Sequence, residues 1–296
     1  MSFLDRVRAC ARYDPCDYRP FVVEGETVGF VAPEFCALLA AFPSVFQRTS
    51  ERLELSSALV TAAERTAAVD QVLRQLRARG LFGGWRDEPY PVLSGRSESA
   101  LLTVERAAVP QFGLVASGVH VNGFVRSEAG LKMWVGRRSL TKPTAPGKLD
   151  QIVAGGRPAG YTVQETLIKE AAEEASIPEG LIRTARAVGT ITYATRQPEG
   201  LRRDVLFLYD LELPLDFAPV NADDEIASFE LWPIAQLIET VRDTDAFKFN
   251  CALVVIDFLM RHGYLDPDGA DYVALAEGLR SLPVATARLM HASMAP

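Results

Sequence analysis

The chain has 296 residues, with 31 Lys and Arg against 38 Asp and Glu, so its net charge is −7 near neutrality. At ~150 residues per domain this length suggests two domains, and 15 Phe, 8 Tyr and 3 Trp supply a real core, which excludes a largely disordered chain. The acidic balance and the lack of a basic tract argue against a nucleic-acid partner. Cys10, Cys16, Cys36 and Cys251 are too few and too scattered for a disulfide scaffold. Without a Cys-x-x-Cys pair, and with His120, His262 and His291 far apart, no structural zinc site is expected. No apolar run approaches the ~20 residues that span a bilayer, and the first residues lack a signal core. The expectation is a cytoplasmic protein without a membrane partner.

In chain order, FVVEGETVGFV (21–31) reads as strand, turn and strand, with Gly25 in the turn. PEFCALLAAF (33–42) and TAAERTAAVDQVLRQLRARG (61–80) read as helices; the second has Ala68, Val69, Val72, Leu73 and Leu76 on one face and Gly80 as its stop. The polar stretch SGRSES (94–99) is the candidate boundary or long loop. From about residue 111, strands flank one marked helix. GVHVNGFVR (118–126) and KMWVGRRS (132–139) form a hairpin, and LDQIVAGG (149–156) is a short strand running into paired glycines. A helix is expected over 162–175, opened by a Thr162–Glu165 capping box. Strands are expected over 188–195 and 203–213, then helices near 234–243, 247–262 and 270–281.

Glu170, Glu173 and Glu174 are spaced i, i+3, i+4, which on a helix brings them within ~100° of one another. Three anions on one face repel unless a cation lies among them, and carboxylate oxygens suit Mg²⁺ or Mn²⁺. A solvated acidic face is the other reading of the spacing. The opposite stripe, Val163, Leu167, Ala171 and Ala175, offers apolar contact to a sheet.

With Gly155 and Gly156 upstream, the segment resembles the box of the Nudix hydrolases, G-x5-E-x7-R-E-U-x-E-E-x-G-U, where U is aliphatic. Gly155, Glu170, Glu173, Glu174 and Ile177 match, and Ala171 matches weakly. Tyr161 stands in place of the first Glu, Lys169 of the Arg and Ser176 of the last Gly. Lys169 keeps a cation for Glu173 but loses the guanidinium fork, and Ser176 is expected to cap a following short helix through Ser-Ile-Pro-Glu179. GWRDEPYPV (84–92), ERAAVPQFG (105–113), VHVNGFVR, GRRSLTKPTAPGKLDQIVAGG (136–156), KEAAEEASIP (169–178) and FKFNCALVVIDFLMRHGYL (247–265) are similar to one Nudix subgroup. That subgroup carries an N-terminal extension (DUF4743-like), and some of its fungal members are fused to thiamine pyrophosphokinase.

The resemblance implies an α/β fold: a Nudix α/β/α sandwich with a mixed sheet over residues 111–296, preceded by a smaller α+β domain over 1–110. It implies Mg²⁺- or Mn²⁺-dependent hydrolysis of a small-molecule diphosphate. Thiamine diphosphate or its oxidised analogues lead; another nucleoside diphosphate derivative, or a catalytically silent diphosphate-binding module, stays open. Glu170, Glu173 and Glu174 would hold metal, with the Gly155 carbonyl as a further ligand or Gly155 as a plain turn residue. Arg137, Arg138, Lys142 and Lys148 would clamp phosphate or remain exposed charges. Glu225 would bind metal, serve as base or belong to an acidic loop. His120 is expected to be packed or hydrogen-bonded, Cys251 to lie in a helical core, and Trp85 either to line the pocket or to pack within the extension. A homodimer is left open.

Overall fold

The computed structural model describes residues 2–94, 99–128, 130–222 and 224–282. Helix α1 (Phe3–Ala9) starts on a reciprocal cap, in which the Asp5 amide donates to Ser2 Oγ and the Ser2 amide donates to the Asp5 carboxylate. Strands β1 (Arg19–Val23) and β2 (Glu26–Val31) form the expected hairpin. It turns through Glu24 and Gly25, at φ of 52° and 77°, the left-handed backbone that a two-residue hairpin turn requires. Helix α2 (Pro33–Leu39), β3 (Phe46–Arg48) and β4 (Leu53–Leu55) follow. Because β4 runs parallel to β1, a four-stranded sheet ordered β2-β1-β4-β3 results. Helix α3 (Ala62–Ala78) buries Val69, Val72, Leu73 and Leu76, the stripe legible in the sequence. Strands β5 (Pro89–Val92) and β6 (Leu102–Glu105) pair as a separate ribbon; of the expected loop at 94–99 between them, 95–98 lie outside the described residues. One apolar cluster joins these elements, with the Phe112 ring 5.0 Å from Phe21 and 5.3 Å from Phe35.

The second sheet begins with β7 (Val115–Ser127) and β8 (Gly130–Arg138), a long hairpin. The segment 149–156, expected as one strand, is two: β9 (Leu149–Asp150) pairs with β8, and β10 (Val153–Gly156) pairs with β7. The chain changes partners at Gln151 and Ile152, which breaks the ladder. After α4 (Val163–Ala175) and α5 (Glu179–Ile182) come β11 (Arg186–Gln197), β12 (Gly200–Glu212) and β13 (Ile226–Pro233). Helices α6 (Ile234–Asp243), α7 (Phe249–Arg261) and α8 (Tyr272–Gly278) close the described chain. The sheet is mixed, ordered β11-β12-β7-β8-β13, with β12 parallel to β7.

Strand alternation sends Val119, Val121 and Val125 of β7 toward the cluster that holds Leu167, Ala171 and Ala175 of α4, and Phe124 toward the cluster of α6 and α7. The result is a sheet between two helical layers, the α/β/α sandwich expected. Helix α1 also joins the α7 cluster, through Leu4, Val7 and Cys10, so among the described residues the first helix packs with α7 and α8 in the core of the second sheet. Ser176 departs from expectation. It takes φ of 52° and ends α4, its hydroxyl donating to the Val220 carbonyl at 2.7 Å. The short helix α5 instead has Pro178 at its N-cap, with no side-chain cap. A helix C-terminus in left-handed backbone is where Gly costs least, which accounts for the Gly that the box has there.

Candidate active site

The capping box that begins α4 is present in full: the Glu165 amide donates to Thr162 Oγ1 at 3.0 Å and the Thr162 amide to Glu165 Oε2 at 2.8 Å. The apolar stripe of α4 lies on the sheet, so Glu170, Glu173 and Glu174 face a cavity of about 890 Å³. Lys169 lies across two of them, with Nζ 3.0 Å from Glu170 and 2.6 Å from Glu173. Glu174 is buried, and the Ala154 amide of β10 donates to its Oε2 at 2.7 Å. A Cβ on Gly155 would overlap the Glu170 carboxylate, and one on Gly156 would overlap the Tyr90 hydroxyl. The two glycines are therefore required by close approach, one toward α4 and one toward the extension.

Burial pushes the Glu170 carboxyl above its ordinary value, although Lys169 opposes the shift. Burial also raises Glu174 well above the carboxylate range, helped by the charges of Asp150, Glu170 and Glu225 and opposed by the Ala154 amide. A buried carboxylate with anions around it is costly unless a cation compensates it. The donor set, the carboxylate oxygens of Glu170, Glu173 and Glu174 around one cavity, fits a hard divalent ion. Glu225 lines the same cavity, where Arg86 Nη1 lies 3.0 Å from it and Lys142 Nζ forms a close ion pair. Burial works against its charge, but Lys142 and Arg86 outweigh it and hold the carboxyl below its ordinary value.

The four expected phosphate clamps separate. Arg138 and Lys142 line the cavity, whereas Arg137 and Lys148 are not among its lining residues. Successive residues on β8 face opposite ways, so Arg137 turns outward to the Gly147 carbonyl at 3.2 Å. Lys148 binds Asp245, 2.6 Å from its carbonyl and 3.1 Å from its carboxylate. Arg138 is a buried anchor: Nη1 donates to Asp150 at 2.8 Å, and its other nitrogens donate to the carbonyls of Thr144 and Ala145. Trp85 is not a lining residue either. Arg77 lies 4.8 Å over its ring, and Nε1 donates to Asp87, so it packs within the extension.

His120, Asp150 and Cys251 lie together in the core with their ligand atoms within 4.8 Å. Asp150 is already neutralised by Arg138 and by Lys248 at 4.0 Å, Cys251 Sγ donates to it at 2.8 Å, and His120 Nδ1 bonds Gln151 at 2.9 Å. Two cations beside the carboxylate disfavour a third there. His120 and Cys251 are thus packed, hydrogen-bonded residues, as expected.

The residues missed from the sequence come from the extension. Arg86, Glu88, Tyr90 and Arg106 all line the cavity. Glu105 fixes this wall by accepting from the amides of Arg86 and Glu88, each at 3.0 Å. The Ala159 amide donates to the Pro89 carbonyl at 2.8 Å, tying the wall to the loop after the glycines. Their signal is the similarity of 84–92 and 105–113 to the subgroup, segments in which the sequence reading singles out Trp85 alone.

Residues 2–116 match a domain of unknown function (DUF4743), and residues 116–251 match the NUDIX domain. Chloroplastic Nudix hydrolase 24 of Arabidopsis thaliana is 43% identical over 284 residues, spanning 95% of this chain and 78% of the relative. The chain belongs to the Nudix hydrolase family. Chloroplastic Nudix hydrolase 20 of the same plant is 39% identical over 291 residues, again 95% of this chain and 78% of the relative. An uncharacterised Saccharomyces cerevisiae protein is 34% identical over 264 residues, 83% of this chain and 76% of that one. This Nudix hydrolase is a Nudix-type pyrophosphatase, an enzyme of a family that uses divalent metal ions.

Proposed function

We propose that this Nudix hydrolase cleaves thiamine diphosphate or one of its oxidised analogues, with Mg²⁺ as the ion, to a monophosphate and inorganic phosphate. The observation that carries the reading is the shared cavity, in which the α4 carboxylates and the extension enclose one space. A diphosphate grip is common to the family and cannot select the organic group, so selection falls to the wall the extension adds. The similarity of the quoted segments to the thiamine-linked subgroup supports that choice of group.

Glu170, Glu173, Glu174 and the Gly155 carbonyl would hold the ion, which when bound neutralises phosphoryl oxygens and acidifies a water. Lys169 keeps Glu170 and Glu173 in place through its two ion pairs. Glu225, held ionised, would take the proton of the attacking water directly or through one water. Water oxygen bonds to phosphorus as the bridging P–O bond breaks in line, and the bridging oxygen leaves with the monophosphate.

The test is kinetics on thiamine diphosphate, its oxo-analogue and ADP-ribose at equal Mg²⁺. Higher kcat/KM on the thiamine compounds is expected. If ADP-ribose wins by about tenfold or more, ~1.4 kcal/mol of transition-state preference, a nucleoside diphosphate derivative replaces thiamine. No phosphate release from any compound would favour a silent module.

A further inference from the structure

The Nudix domain's own cavity cations are largely committed. Arg138 spends its donors on Asp150 and two loop carbonyls, Lys169 sits on Glu170 and Glu173, and Arg202 pairs with Asp204 at 3.2 Å and Glu199 at 3.3 Å. Arg106, from the extension, differs. Its Nη1 donates to Glu88 at 2.8 Å, while among the described residues Nε and Nη2 make no hydrogen bond, and 42% of its side-chain surface is open. The guanidinium carbon lies 5.8 Å from the centre of the Tyr90 ring, whose hydroxyl rests against Gly156. The guanidinium is thus oriented by a carboxylate and an aromatic ring, and Arg106 lines the same cavity as Gly155 and Gly156. Its charge acts on both Glu170 and Glu225.

A guanidinium with one fixed and one free edge is suited to bidentate contact with a phosphate. We propose that Arg106 of the extension binds the substrate diphosphate, its free edge taking phosphate oxygens while Glu88 and Tyr90 hold the guanidinium in place. The active site is then built from both parts of the chain, and the extension supplies phosphate recognition as well as shape. This inference rests on the diphosphate-hydrolase reading and adds a named residue to it.

The experiment is calorimetric titration of the 296-residue chain with Mn²⁺, then with methylenediphosphonate, which needs no turnover. Arg106→Gln removes a positive charge near Glu170 and so should not weaken Mn²⁺ binding, but it should weaken methylenediphosphonate binding about tenfold or more, since hydrogen bonds to charged groups are among the stronger ones. Arg106→Lys keeps the charge without the fork and should recover only part of the loss. It also preserves the pair with Glu88 if the Gln variant folds poorly. Methylenediphosphonate binding by the Gln or Lys variant within twofold of the unaltered chain overturns the role of Arg106 and leaves the hydrolase reading standing. Failure of the unaltered chain to bind methylenediphosphonate in the presence of Mn²⁺ overturns both.

Discussion

The carboxylate of Glu170 occupies the space that a Cβ at Gly155 would need. Strand β10 and helix α4 therefore meet at the site itself, and the glycine is a condition for the position of the acid. Gly155→Ala must push Glu170 aside, at the ~1–3 kcal/mol typical of overpacking. Its expected signature is weaker Mn²⁺ binding with a modest fall in Tm. Gly156→Ala should instead displace Tyr90, lowering Tm and changing KM more than Mn²⁺ affinity. Calorimetry and melting curves on the two variants separate these effects, and equal Mn²⁺ affinity in Gly155→Ala and the unaltered chain would contradict the contact.

Glu174→Gln tests the buried acid. Without metal the substitution removes a carboxylate crowded by Asp150, Glu170 and Glu225, so the EDTA-treated variant should be at least as stable as the unaltered chain. With Mn²⁺ the order should reverse, and turnover should fall by about 100-fold or more, the scale of losing a principal electrostatic group. Mg²⁺ or Mn²⁺ should restore the EDTA-treated wild-type chain, and Zn²⁺ poorly, because the donors are oxygens.

Arg138 was a candidate substrate clamp, and the structure makes it the partner of Asp150 in the core, with side chains 6% and 1% exposed. Arg138→Ala should cost about 3–5 kcal/mol, because a buried carboxylate loses its compensating charge. Denaturant unfolding gives the number directly. A loss below about 1 kcal/mol with a large rise in KM would return Arg138 to the substrate.

Acid sensitivity should follow His120. Burial lowers its pKa from 6.5 to about 4, with Asp150 and Asp204 opposing the shift and Lys248 adding to it. The fold prefers neutral imidazole, so this contribution is complete above pH 6.5. It is lost as pH falls from 6.5 to 4, where the unfolded chain takes up the proton first, and about 3 kcal/mol is at stake. Asp150 acts lower: burial opposes its charge, but Lys248 and Arg138 hold its pKa at about 2 against 3.8, so its contribution is lost only below pH 3.8. Glu174 acts in the opposite sense in metal-free protein, gaining stability on acidification. The quantity to measure is therefore the difference in unfolding free energy between the unaltered chain and His120→Gln at pH 7.5 and 4.5. An unchanged difference would refute the assignment.

What could be read from the chain alone was periodic and local. The α3 and α4 stripes, the Thr162–Glu165 capping box, the β7–β8 hairpin and the three carboxylates on one helix face all lie within windows of fewer than thirty residues, where side-chain period dictates the exposed face. The break between β9 and β10 escaped this reading, because strand partners are chosen across the sheet. So did the outward turn of Arg137 and the inward turn of Arg138, whose residue types are the same and whose difference is strand register. The tertiary structure alone brought Arg106 to the carboxylates of α4, some sixty residues along the chain, and Arg86 to Glu225. Such contacts depend on how two separately patterned cores pack against each other, and no local period encodes that.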